Sequence, residues 1–148
     1  SSYLPGELQA AHLFAQLEVA EDIHQKRLDI WNRYKIALKP LQDDGLIGLP
    51  SIPVECEHNG HMFYLKAASV CERDRLLSFL KAEGVLAVFH YVPLHSSVAG
   101  RGFGEFSGEN VYTTKESERI VRLPIYYNLD LKEVDYVISL IKMFFSFS

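Results

Sequence analysis

At 148 residues, with 48% apolar and 23% charged residues, the chain has the makeup of one globular domain with a core of its own. A net charge of -4 and the lack of any Lys/Arg cluster argue against a partner of nucleic acid. No apolar run approaches the ~20 residues of a membrane span, so no membrane partner is expected, and two cysteines in a chain of this size point to a reducing cytoplasmic location.

The chain starts at Ser1 rather than Met and enters a helix almost at once, which reads as the later part of a longer protein or as a processed terminus. Pro5 suits a first helical turn, and Glu7 places negative charge where the helix dipole favours it. From Leu8 to Val19 the helix is apolar nearly all round, with only Gln9, His12 and Gln16 as a polar stripe. Such a helix is expected to be buried on several sides, by its own domain and by a subunit or domain partner. A second helix is predicted from about Glu21 to Leu38, with Ile23, Ile30, Trp31, Tyr34 and Leu38 on one face and Pro40 ending it. Residues 41 to 53 read as loop, and a strand runs from His61 to Lys66.

Ser69 with Glu72 forms a capping box for a helix carrying Leu76, Leu77 and Leu80, which Gly84 closes. Val85 to Tyr91 is predicted as the next strand and Ser96 to Tyr112 as a loop. Thr113 with Glu116 caps a short helix ending before Pro124. Asp130 with Glu133 caps a last helix whose Val134, Val137, Ile138, Ile141 and Phe145 face a core. Two long helices followed by short strands alternating with helices define the α+β class, with a small, mostly antiparallel sheet carrying helices on one face.

The most informative stretch is Leu86 to His95, an apolar run that ends in His90, Tyr91 and His95 around Pro93. A strand that empties its polar side chains at its end, before a glycine-rich loop, is how folds present an edge to a ligand. The competing view is a strand end with ordinary satisfied polar groups. Cys56, His58 and His61 have spacings that suit zinc, but a structural site needs four ligands and Cys71 lies beyond a predicted strand, so no metal is assigned. Gly100, Gly102, Gly104 and Gly108 lack the strand before and the helix after that a phosphate cradle requires. They read as a mobile loop, a lid or a partner contact. No G-x-S-x-G elbow, no activated cysteine and no carboxylate pair stands out. The chain offers groups that hold a ligand and no evident engine for chemistry.

Read together, SSYLPGELQAAHLFAQLE, NGHMFYLK, VFHYVPLH, YTTKESERIVRLPIYYNL and the apolar last helix resemble the C-terminal part of the DegT/DnrJ family of sugar aminotransferases, pyridoxal-phosphate enzymes of fold type I. The blocks cover essentially the whole chain in family order. The resemblance implies one C-terminal domain over residues 1–148, helical over 1–40 and α/β over 41–148. The pyridoxal phosphate domain, with the Schiff-base lysine, would precede Ser1, leaving no catalytic residue in this chain. None of the eight lysines reads as a desolvated Schiff-base lysine.

The family is dimeric with active sites between subunits, so the implied partners are the N-terminal domain of the same protein, a second copy, and a dTDP-sugar and glutamate as substrates. Where the family usually has Asn-x-Arg-Met, with its asparagine on the cofactor phosphate, this chain has Ser2-Tyr3-Leu4-Pro5. Ser2 and Tyr3 can each donate a hydrogen bond to that phosphate. His90, Tyr91 and His95 match the family's strand-end block on the sugar-nucleotide side, with Tyr91 first and His95 second as substrate contacts. His61 matches a histidine before the next strand and is read as structural or cofactor-adjacent, and Phe103 and Phe106 either shape the substrate mouth or fill the loop. The alternative, outside this family reading, is a self-standing, non-catalytic α+β module that binds a ligand or protein through the His90-to-His95 edge.

Overall fold

The computed structural model describes residues 3–146. Helix α1, Glu7–Glu18, starts at an extended Gly6 whose N–H donates to Gln9 Oε1 at 3.0 Å. No residue of α1 is buried, and Leu8, Phe14 and Leu17 are 89%, 64% and 62% exposed. The expected burial by its own domain is therefore absent: the rest of the chain leaves the helix bare. Helix α2, Ala20–Asp43, follows after a break at Val19. It runs through Pro40 instead of stopping before it. The ring removes the hydrogen bond that would reach the carbonyl of Ile36, and Ile36 lies on the exposed side of the helix. The last turn closes beyond the proline through Asp44 N–H to Pro40 O and Leu46 N–H to Leu41 O.

The sheet has three antiparallel strands in the order β1-β3-β2, with β1 at Phe63–Lys66, β2 at Val88–Phe89 and β3 at Ile120–Leu123. Helix α3, Val70–Ala82, lies between β1 and β2 in the chain and begins as its capping box predicts: Ser69 Oγ accepts from Glu72 N–H at 3.1 Å. Gly84, at φ 79°, turns the chain out of it in a conformation that favours glycine. Helix α6, Leu131–Ser146, closes the domain, with Asp130 Oδ1 accepting from Lys132 N–H and Glu133 Oε2 from Asp130 N–H.

Three predictions need correction here. The strand expected over Val85–Tyr91 is only Val88–Phe89; Val85 N–H is still bonded to Leu80 O at the end of α3, and the chain leaves the sheet at His90. The loop expected over Ser96–Tyr112 holds a 3-10 turn, Leu94–Ser96, and helix α4, Val98–Phe103, capped by Ser97 Oγ on Gly100 N–H. The helix expected from Thr113 to Pro124 is a short α5, Thr113–Ser117, followed by the central strand β3.

Register places Phe63 opposite Leu123 and Leu65 opposite Val121, so these four face one side and are buried there by α2, α3 and α6. Tyr34, Leu38, Leu76, Leu80, Val134 and Ile141 complete the fully buried set. Tyr34 keeps its hydroxyl satisfied on Pro124 O at 3.1 Å, its ring stands 5.1 Å from Phe63, and burial pushes the phenol pKa up. Trp31 Nε1 donates to Met62 O, and Arg33 grips Asp135 through two bonds of 2.7 and 2.9 Å, joining α2 to α6. Gly60 packs so closely on α2 that an added Cβ would stand 3.0 Å from the Arg27 backbone carbon. The opposite sheet face carries Tyr64, Lys66, Val88, Ile120 and Arg122.

Two substitutions separate core from uncovered surface. Phe63→Ala should destabilise the chain by about 3–5 kcal/mol in a urea titration. Phe14→Ser on α1 should cost less than about 0.5 kcal/mol in the same titration, since its side chain is 64% exposed among the described residues.

Candidate ligand-binding site

The segment that leaves β2 runs between two cavities. The first, of about 360 Å³, is walled by His90, Tyr91, Pro93 and Ser96 on one side and by Val70, Arg73 and Asp74 of α3 on the other, with Ser117 and Glu118 at its end. Phe89 lies opposite Val121 in the sheet, so its ring points to the helix side, where the Arg73 guanidinium sits 5.7 Å above it. That stacking, with the bond from Arg73 Nε to Asp74 Oδ1 at 2.9 Å, orients the cation of this cleft. His90 and Tyr91 have ring centroids 5.1 Å apart, and Tyr91 is 75% exposed. His90 Nδ1 is buried and has no hydrogen-bond partner, which is a cost that a bound donor or acceptor removes.

The second cavity, of about 500 Å³, is lined by Leu94, His95, Ala99 and Gly100, by Phe103 at the end of α4, and by Phe106 just beyond it. His95 stands on the 3-10 turn instead of at a strand end, with its ring 4.6 Å from that of Phe106. Its Nε2 meets Thr114 Oγ1 at 3.0 Å and Asn110 Nδ2 at 2.9 Å. Helix α5, which carries Thr114, is tied to the sheet by Glu116: one carboxylate oxygen lies 2.9 Å from Lys66 Nζ and the other 2.5 Å from Arg119 Nη2. The hydrogen bond from Lys66, seconded by Arg119, holds the Glu116 carboxyl below the usual glutamate range. The glycine-rich stretch thus supplies the wall of an apolar cavity, with Phe103 and Phe106 at its mouth.

Of the residues expected to meet a cofactor, Tyr3 and His61 lie outside these two cavities. Ser2 lies outside the described residues, Tyr3 is 98% exposed, and His61 is an exposed side chain whose backbone is held by Asn59 and Arg27. His58 is a structural residue, with its ring 4.3 Å from Trp31 and Nδ1 accepting from Gly60 N–H. Among the described residues no group of three His, Cys, Asp or Glu side chains is placed to hold a metal.

Four of the eight lysines have side-chain partners: Lys66 with Glu116, Lys35 with the Pro50 carbonyl, Lys39 with Asp43 and Lys26 over the Tyr127 ring. Burial, and then Lys39, lowers the pKa of Lys35, but its amine is turned to that carbonyl and away from both cavities' linings. The two cavities present aromatic walls, two imidazoles, a phenol and a guanidinium. Arg73, Asn110 and Thr114 were not signalled by sequence, because each depends on contacts across a loop or between neighbouring segments.

A small antiparallel sheet sealed by helices on one face, with a ligand edge beyond it, is the small-domain architecture of the aminotransferase fold. DesV of Streptomyces venezuelae superposes on it with a TM-score of 0.80 at 26% identity, over 93% of this chain and 36% of that one. The Bacillus subtilis protein ntda, solved with bound cofactor PMP, gives a TM-score of 0.72 at 25% identity, over 84% of this chain and 28% of its own. In sequence the chain is 31% identical over 139 residues to dTDP-3-amino-3,4,6-trideoxy-alpha-D-glucose transaminase of Streptomyces venezuelae, 92% of this chain and 35% of the relative. The chain belongs to the DegT/DnrJ/EryC1/StrS aminotransferase family, whose pattern matches residues 5–142. This is a family of pyridoxal-phosphate-dependent sugar aminotransferases, and the chain spans about a third of the length of the curated relatives it matches. No helix among the described residues is long and apolar enough to cross a membrane.

The Lys66–Glu116–Arg119 cluster gives a pH test. The folded pKa of Glu116 lies below its unfolded value, so the ion pairs stabilise the chain above the ordinary glutamate range, and that stability is lost as pH falls through the depressed folded pKa. Glu116→Gln should lower the melting temperature at pH 7, and the gap to the unsubstituted chain should close on acidification to about pH 3. A gap that persists at that pH would show that the carboxylate charge is not what holds α5.

Proposed function

We propose that residues 1–148 form the C-terminal domain of a dTDP-sugar transaminase, helical over 1–40 and α/β over 41–148, and that the pyridoxal phosphate domain with its Schiff-base lysine is absent from this chain. The closest functional reading is dTDP-4-amino-4,6-dideoxygalactose transaminase, which moves an amino group from glutamate to C4 of dTDP-4-keto-6-deoxy-D-glucose. The product feeds surface polysaccharide, such as enterobacterial common antigen, in the cytoplasm. Pyridoxal phosphate, when bound, supplies the carbonyl group that takes up and passes on the amine.

The observation that carries the reading is the pair of cavities beside His90–His95, one polar and one mostly apolar with His95 in its wall, and neither lined by lysine or cysteine. That lining suits a domain that recognises the sugar nucleotide and leaves bond making to another. Tyr91 contacts the sugar or diphosphate through its hydroxyl, His95 takes a second contact, and His90 offers its unpaired Nδ1. Ser2 and Tyr3 donate to the cofactor phosphate, and His61 stands near the cofactor. The bare apolar face of α1 supports a partner, read here as the N-terminal domain and a second copy in a homodimer.

The test is direct. Full-length protein with pyridoxal phosphate, glutamate and dTDP-4-keto-6-deoxy-D-glucose should yield the 4-amino sugar nucleotide in the galacto configuration, read from a small H3–H4 coupling in the proton NMR spectrum. Residues 1–148 alone should yield none. Tyr91→Phe in the full-length enzyme should raise KM for the sugar nucleotide about ten-fold with kcat within about two-fold, as loss of one ligand hydrogen bond predicts. Amination by the 148-residue chain alone would refute the domain assignment.

A further inference from the structure

The hydrogen bonds around His95 decide which of its nitrogens carries the proton. Asn110 Oδ1 accepts from the backbone N–H of Thr114 at 3.3 Å, one of the otherwise unpaired donors at the start of α5, and this sets which way the amide faces. The amide NH2 is then the group that meets both Thr114 Oγ1, at 2.5 Å, and His95 Nε2, at 2.9 Å. An amide nitrogen only donates, so Nε2 must be the acceptor and cannot hold a proton in the neutral ring. The Thr114 hydroxyl, 3.0 Å from the same Nε2, can only share that one lone pair as a donor, so it too leaves Nε2 as the acceptor. The proton is left on Nδ1, which has no partner among the described residues.

From this network we infer that Asn110 and Thr114 are positioning residues that lock His95 as its Nδ1–H tautomer, so that it donates from Nδ1 to an acceptor oxygen of the sugar nucleotide in the cavity walled by Phe103 and Phe106. The inference rests on the sugar-nucleotide reading given above and adds to it the direction of the bond and the residues that impose it. Phe106 against the ring face limits its rotation, so the lock acts on both tautomer and orientation. A ligand that offers only acceptors at that point, as a diphosphate does, is matched; one that needs an acceptor from the protein is rejected.

Two measurements on full-length protein test this. In the long-range 1H–15N spectrum of 15N-histidine-labelled protein at pH 8.5, the His95 signals, assigned by their loss in His95→Asn, should show a protonated Nδ1 and a bare Nε2. In Asn110→Ala the pattern should reverse, because Nε2 is then free to donate to Thr114 Oγ1. Titration with dTDP-glucose should give the matching affinities. His95→Asn, whose amide N–H sits where Nδ1–H does, should stay within about three-fold of the unsubstituted protein, while His95→Gln, which mimics the other nitrogen, should weaken binding about ten-fold and Asn110→Ala about five-fold. A protonated Nε2 in the unsubstituted protein, or equal affinities for His95→Asn and His95→Gln, would overturn the inference while the sugar-nucleotide reading stands. Failure of the unsubstituted protein to bind dTDP-glucose at all would overturn that reading, and this inference with it.

Discussion

The structure depends on β3 pairing on both of its edges. Four residues, Ile120 to Leu123, bond to β1 on one side and to β2 on the other. Without them neither outer strand has a partner, since β1 and β2 do not touch in the sheet order. The strand also divides the molecule by its alternation. Val121 and Leu123 go into the core beneath α2, α3 and α6, while Ile120 and Arg122 go to the opposite face. A slip of one residue would bury Arg122 and expose Val121, so the core sets the register, and the register sets where the chain leaves the sheet at His90.

From that frame the ligand edge is built in short covalent and polar steps. Lys66 ends β1 and reaches Glu116, which fixes α5; α5 presents Thr114, and Thr114 with Asn110 holds His95. On the other side, α3 begins at Ser69 and offers Arg73 to the cleft beside His90 and Tyr91. Each link is a partly exposed ion pair or hydrogen bond, individually worth about 1 kcal/mol or less. The edge is therefore positioned more firmly than it is stabilised, which suits a surface that adjusts to a ligand.

The elements legible from sequence were those with local signals. Ser69 and Glu72, Asp130 and Glu133, and Gly84 mark helix ends through bonds made within a few residues, and all were found where expected. The apolar face of α2 was also legible, with Ile30, Trp31, Tyr34 and Leu38 buried. What was missed needs distant partners. Arg119 to Leu123 follows a short helix without a turn signal, and only β1 and β2 make it a strand. Pro40 reads as a stop, yet its place on the solvent side of a last turn lets the helix continue. His90, Tyr91 and His95 could be singled out as polar groups at the end of an apolar run, but not that Pro93 and the 3-10 turn would send His95 to a different cavity from His90. Asn110 carries no local mark at all, because its role appears only when the loop folds back over the turn.

Helix α1 is the clearest disagreement between composition and placement, and it bears on how the two cavities work. A helix with Leu8, Leu13, Phe14 and Leu17 exposed has no reason to persist as a free surface in water. Its exposed apolar area is a cost in water that burial against a partner would remove. The cavities share this incompleteness. Each has a wall of aromatic and polar side chains, and neither is lined by a lysine or a cysteine. On the reading proposed above, covering α1 and closing the cavities are one event, because the domain that docks on the apolar helix also brings the reactive groups to face His90, Tyr91 and His95. Recognition and chemistry would then be coupled through a hydrophobic contact made outside both cavities, by residues that touch no ligand.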